Sequence, residues 1–153
     1  MCIRDRGYTV NGNLVITGRG KDLIIYNGRN IWPQDIEWAV EGLEGLRRGD
    51  AAAFSVEDED GAEEVVVVVQ CRAIDTDTRE QLEREIAAQT RLIAGADCKV
   101  VLAQPRSLPM TSSGKLSRTA AKANYLAGHY SPQSTSTALR TASSATMAVA
   151  ARD

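Results

Sequence analysis

Lys115 stands out for its setting. It lies in the run Leu108-Pro109-Met110-Thr111-Ser112-Ser113-Gly114-Lys115-Leu116-Ser117-Arg118, where small residues precede the charge and a helical pattern follows it. Pro109 fixes φ at the start of the run, Thr111, Ser112 and Ser113 carry hydroxyls, and Gly114 permits backbone angles that a Cβ would forbid. A lysine on such a loop is a point charge that can be carried into another molecule's active site and withdrawn. The plain alternative is a solvated loop lysine. Two phosphate-binding motifs are excluded. Pro109 stands where a Walker loop needs its first glycine, and Leu116 where it needs a magnesium-binding Ser or Thr. Gly18-Arg19-Gly20 lacks the third glycine of a dinucleotide fingerprint, because Leu23 is there.

Length and charge set the frame for that lysine. The 153 residues, 43% hydrophobic and 25% charged, suffice for one domain with one core, of roughly 100 to 130 residues plus tails. A net charge of -2 argues against a general nucleic-acid binder, but the signs are segregated. Six of the eight residues from Glu57 to Glu64 are acidic, whereas Cys98 to Arg152 holds no Asp or Glu. Lys99, Arg106, Lys115, Arg118 and Lys122 make the second half basic, which suits either an anionic partner or a solvated helix face. Cys2, Cys71 and Cys98 are odd in number and widely spaced, so neither a disulfide framework nor a metal knuckle is expected, and a reducing cytoplasmic compartment is. His129 has no ligand partners at zinc spacing and reads as a surface residue. The longest aliphatic run is Val65 to Val69, and neither a signal peptide nor a membrane span is expected.

The elements that must position the lysine follow in order. Met1 to Arg6 has no periodicity and reads as an atypical, truncated start. Asn11-Gly12, between Tyr8-Thr9-Val10 and Asn13-Leu14-Val15-Ile16, predicts a hairpin with a type I′ turn. Gly18 to Asp22 is a glycine-flanked candidate hinge, Leu23 to Tyr26 a buried strand, and Asn27-Gly28 a second turn. Pro33 opens a helix with Ile36, Ala39 or Val40, and Leu43 on its apolar face, and Trp32 is expected to staple its first turn. Asp50 to Val56 and Val65 to Cys71 read as two buried strands, with the acidic run as the turn between them. Thr78-Arg79-Glu80-Gln81 resembles a capping box before a helix with Leu82, Ile86, Gln89 and Ile93 in phase. Cys98 to Leu102 is a further strand, Pro105 to Gly114 a loop, and Ser117 to Ala127 a third helix stopped by Gly128. From Ser131 to Ala150, 14 of 20 residues are Ser, Thr or Ala, so a disordered tail is expected. The sum is an α+β fold: a short hairpin and hinge over 7–22, a domain over 23–130 with about three strands packed by about three helices, and tails at 1–6 and 131–153.

Two long strings together carry a resemblance over Gly7 to about Tyr130. Gly18-Arg19-Gly20-Lys21-Asp22-Leu23-Ile24-Ile25-Tyr26-Asn27-Gly28-Arg29-Asn30-Ile31-Trp32-Pro33-Gln34-Asp35-Ile36-Glu37 resembles the hinge and following loop of the adenylate-forming superfamily, and Pro109 to Arg118 resembles its C-terminal lysine motif. Lys-Asp-Leu-Ile-Ile, Gly-Arg-Asn and Pro-Gln-Asp-Ile-Glu look most like fatty acyl-AMP ligases, with acyl-CoA synthetases as neighbours. The resemblance implies a small mobile C-terminal domain that closes over a large N-terminal adenylation domain holding ATP, Mg2+ and a fatty acid. It implies that Lys115 is the catalytic lysine of adenylation, that Arg19 contacts the nucleotide, and that Lys21 with Asp22 forms the hinge. Gly28 and Arg29 would lie on the face offered to the thiol acceptor, an acyl carrier protein or coenzyme A. Asp5 would match the aspartate that holds the ribose hydroxyls, although Ile3-Arg4 replaces the expected Thr-Gly and residues 1–6 depart from the family pattern. A reading from another class is a non-catalytic interaction module, motivated by the absence of an ATP-binding core in this length.

Overall fold

The computed structural model describes residues 5–19, 22–57, 61–72 and 75–130. Its elements are β1 (Asp5–Val10), β2 (Asn13–Arg19), β3 (Ile24–Tyr26), β4 (Arg29–Ile31), α1 (Pro33–Glu41), β5 (Ala51–Glu57), β6 (Glu63–Gln70), α2 (Thr76–Ala94), β7 (Cys98–Ala103) and α3 (Arg118–Leu126). The expected disordered tail, Lys21 of the expected hinge and most of the first six residues lie outside the described residues.

The valine run of β6 organises the rest. Successive strand side chains point to opposite faces, so an unbroken run of valines requires both faces to be covered. Val65, Val67 and Val69 enter one core with Ile36, Val40, Leu82 and Ile86, while Val66 and Val68 enter a second with Phe54, Leu108 and Ala121. β6 is the middle strand of the order β5-β6-β7, antiparallel to β5 and parallel to β7. A parallel neighbour needs a long crossover, and α2 supplies it. The domain is thus α+β, with α1 and α2 on one face of a mixed three-stranded sheet and α3 on the other.

Two Asn-Gly turns behave alike. Asn11 and Gly12 have φ of 51° and 80°, and Asn27 and Gly28 have 49° and 74°, the pairs of positive values that close two-residue hairpins. The first ribbon runs further than its alternation indicates, reaching Arg19 through a register shift between Arg6 and Gly7. The second turn closes a ribbon of its own, pairing the expected strand, now β3, with β4, whose three residues are too few to show a period.

Two helix details differ from the expectation. The N-cap of α2 is Asp75, whose carboxylate accepts the Thr78 N–H at 2.9 Å, so the cap lies three residues before the proposed box. Either residue type can cap, but Asp75 is the one in extended conformation there. The buried face of α2 is Leu82, Ile86, Thr90 and Ala94, a strict four-residue row, which leaves Ile93 49% exposed. Thr90 is tolerated inside because its hydroxyl donates to the Ile86 carbonyl at 2.9 Å. In α1, Pro33 sits in the first turn as expected and Val40, not Ala39, is the fully buried residue of that pair.

Candidate functional site

The lysine loop is a closed hairpin. Thr111 N–H donates to the Lys115 carbonyl at 2.7 Å, Gly114 N–H to the Thr111 carbonyl at 2.9 Å, and Lys115 N–H to Thr111 Oγ1 at 3.1 Å. Met110 and Leu116 bridge across its base, and Ser117 N–H donates to the Pro109 carbonyl at 2.9 Å. Gly114, at φ 73°, makes the reversal. The run is thus an ordered turn: the Thr111 hydroxyl is used on the loop's own backbone and meets Ser113 Oγ at 3.0 Å, which fixes where Lys115 leaves the chain while its side chain stays exposed. Below the hairpin, Leu108 is buried in the second core and Ser107 N–H donates to Gln70 Oε1 at 3.1 Å. Gln70 is itself held at the end of β6, where its N–H donates to the carbonyl of buried Asp50 at 2.8 Å. Arg72 clamps that Asp50 carboxylate from two nitrogens, at 2.6 and 3.3 Å.

Three residues beyond the lysine, Arg118 is engaged inside the domain. Its Nε donates to Glu37 Oε1 at 2.7 Å and its Nη2 to Glu37 Oε2 at 2.5 Å, while Nη1 lies 3.8 Å from Asp22 Oδ2. Glu37 is 5% exposed and also accepts the Ala53 N–H of β5 at 3.1 Å. Burial works against the Arg118 charge, but the hydrogen bonds and charge of Glu37, with Asp22 and Glu41 beyond, outweigh it and raise its pKa. The two strings are thus joined in space, Asp22 and Glu37 of the first meeting Arg118 of the second. Arg118 is thus not one of the free charges of a basic surface, since its fork is spent on Glu37. The signal was available: Glu37 follows Ile36 on the buried phase of α1, and a carboxylate there requires a partner.

The remaining predicted residues fall in two places. Asp22 and Arg118 line a cleft of about 290 Å³ together with Leu23, Phe54, Thr119 and Lys122. Asp5 and Arg19, the two expected nucleotide contacts, are directly opposite each other in the β1–β2 register. Gly28 is in the turn of the second ribbon and Arg29 begins β4, its guanidinium lying over Gly95 at the C-terminus of α2. The end of a helix dipole favours that cation. Lys99 lies over the Tyr125 ring, 5.7 Å from its centroid. Burial pushes the pKa of the Cys98 thiol up. Among the described residues no group of His, Cys, Asp and Glu is disposed to hold a metal, and no helix is long and apolar enough to cross a membrane. No donor set among the described residues fits Mg2+.

No family model matches the chain. A putative acyl-CoA synthetase of Caulobacter vibrioides is 52% identical over 127 residues, which are 82% of this chain and 22% of that protein. A medium-chain-fatty-acid–[acyl-carrier-protein] ligase of Moorena producens is 38% identical over 131 residues, covering 81% of the chain and 22% of the relative. Among solved structures, one from a study of fatty acyl-adenylate ligases of E. coli and L. pneumophila superposes with a TM-score of 0.73 at 41% identity, over 84% of this chain and 23% of that one. The chain therefore spans a little over a fifth of the proteins it matches. In sequence and in fold the chain is homologous to one segment of the adenylate-forming enzymes, with fatty acyl-AMP ligases and acyl-CoA synthetases as its relatives.

Proposed function

We propose that the chain is the mobile C-terminal domain of an ATP-dependent ligase that activates a fatty acid as its acyl adenylate and passes the acyl group to a carrier-protein thiol. The observation that carries the reading is the exposed Lys115 on a preformed hairpin anchored at both ends, in a chain related to fatty acyl-AMP ligases. In the reaction a carboxylate oxygen attacks the α-phosphorus of ATP, the bond to the bridging oxygen breaks, and pyrophosphate leaves with that electron pair. Two anions must meet, and negative charge builds on the transferring group. An ammonium delivered by a closing domain stabilises that charge and helps exclude water. ATP and its Mg2+ would be held by an N-terminal adenylation domain, with Arg19 and Asp5 on the nucleotide. Rotation at Lys21 and Asp22 would then withdraw Lys115 and bring the Gly28-Arg29 turn to the acceptor.

The test is to measure the half-reactions separately in the full-length enzyme. Lys115→Ala should slow acyl-adenylate formation about 100-fold to 1,000-fold. Lys115→Arg should also be poor, because a planar fork does not replace a compact ammonium. Transfer from a supplied acyl adenylate should continue at near the normal rate, and an equal loss in both steps would overturn the assignment. The name of the Caulobacter relative favours a second reading, with coenzyme A as the acceptor. Offering coenzyme A and a loaded carrier protein to the same supplied adenylate separates the two.

A further inference from the structure

We propose that Arg118 is a positioning residue that ties the Lys115 hairpin to the hinge, holding Glu37 of α1 with two nitrogens while the third engages Asp22. The inference rests on the function proposed above and deepens it. Glu37 provides the fixed end: it is 5% exposed and accepts three hydrogen bonds, from Ala53 of β5 and twice from Arg118. The hairpin is the second end, because Ser117, adjacent to Arg118, is hydrogen-bonded to Pro109 across its base. Asp22 is the adjustable end. At 3.8 Å its carboxylate is an ion pair without a hydrogen bond, so a change of backbone angle at the hinge can make or break the contact while the grip on Glu37 persists. Only arginine meets this geometry, since a lysine ammonium cannot span a bidentate partner and a second carboxylate at once. A half-buried cluster of three charges also costs desolvation that apolar packing would avoid, which fits a role in choosing between orientations better than one in stability.

The experiment compares the rates of adenylate formation and acyl transfer in the full-length enzyme carrying Asp22→Asn, Arg118→Lys, both together, or Glu37→Gln. Asp22→Asn should change the ratio of the two rates about twofold to fivefold, the range of a partly screened ion pair, with an unchanged melting temperature. Raising the salt concentration should move the wild-type ratio in the same direction, and Asp22→Asn should abolish that salt response. Arg118→Lys should reproduce the shift, and the double variant should add nothing to it. Glu37→Gln, which frees the guanidinium for Asp22, should move the ratio the opposite way. An unchanged ratio in Asp22→Asn, or additive shifts in the double variant, would overturn the proposal. Lys115→Ala, run alongside, separates the two failures. Normal adenylation there removes the functional reading and this proposal with it. Slow adenylation there, with an unmoved ratio in Asp22→Asn, removes only the role of Arg118.

Discussion

Arg118 and Lys115 are three residues apart and have opposite surroundings, one charge enclosed by carboxylates and the other exposed. Arg118→Met would strand the Glu37 carboxylate beside β5, and uncompensated buried charges of this kind cost about 3 to 5 kcal/mol. Urea unfolding should show that loss, and the pair Arg118→Met with Glu37→Leu should regain most of it. Gly95 tests a different kind of constraint. Its φ is 62°, and a Cβ there would lie 2.5 Å from Arg29 Nη1. Gly95→Ala should therefore cost about 1 to 2 kcal/mol in backbone strain and push Arg29 off the end of α2, which a shifted denaturation midpoint would report. Lys115 was legible because its neighbours in sequence are its neighbours in space. That Glu37 needs a partner was legible from its buried phase, but that the partner is Arg118 was not, because it lies 81 residues away and only the packing of α1 against β5 brings it close.

At the scale of elements, α2 depends on its first turn. The Thr78 side chain and N–H hydrogen-bond the Asp75 carboxylate and hold its pKa below the usual aspartate range. A depressed folded-state value means stabilisation that is present above the unfolded pKa and lost as the pH falls through the folded one. Asp75→Ala should accordingly lower the melting temperature at neutral pH, and the deficit should fade in acid, where the wild-type cap is protonated too. Thermal melts at the two pH values check it. The long elements were readable because their periods repeat: α2 over 19 residues and the valines of β6 on both faces. Of the β3–β4 ribbon only the first strand was readable, since the three residues of β4 carry no period, and the Thr78 box misled because four candidate cap residues, Asp75, Thr76, Asp77 and Thr78, stand in four successive positions. The closed lysine hairpin was missed for a related reason. Ser and Thr announce a loop but do not say that one hydroxyl, that of Thr111, will bond its own backbone.

As a whole molecule, the described residues form two cores about one three-stranded sheet, and a cleft of about 290 Å³ is lined by Leu23 and Phe54 together with Asp22, Arg118 and Lys122. A purified 153-residue chain should therefore melt cooperatively by circular dichroism yet catalyse no ATP–pyrophosphate exchange; robust exchange would contradict the assignment of ATP and fatty acid binding to another domain. The order of the elements was legible at this scale, whereas the parallel alignment of β7 with β6 was not, because strand direction follows from the crossover and leaves no mark in either strand. The Glu37 carboxylate on Ala53 has a further consequence, in how copies of the chain behave toward one another. β5 is an edge strand of small and apolar residues beside five valines, the composition that favours strand-to-strand association into fibrils. With its Ala53 N–H already occupied and a charge set against that edge, β5 is a poor template for an incoming strand. An apolar residue at position 37 should therefore lower the concentration at which the folded chain precipitates, which light scattering on a concentration series would read.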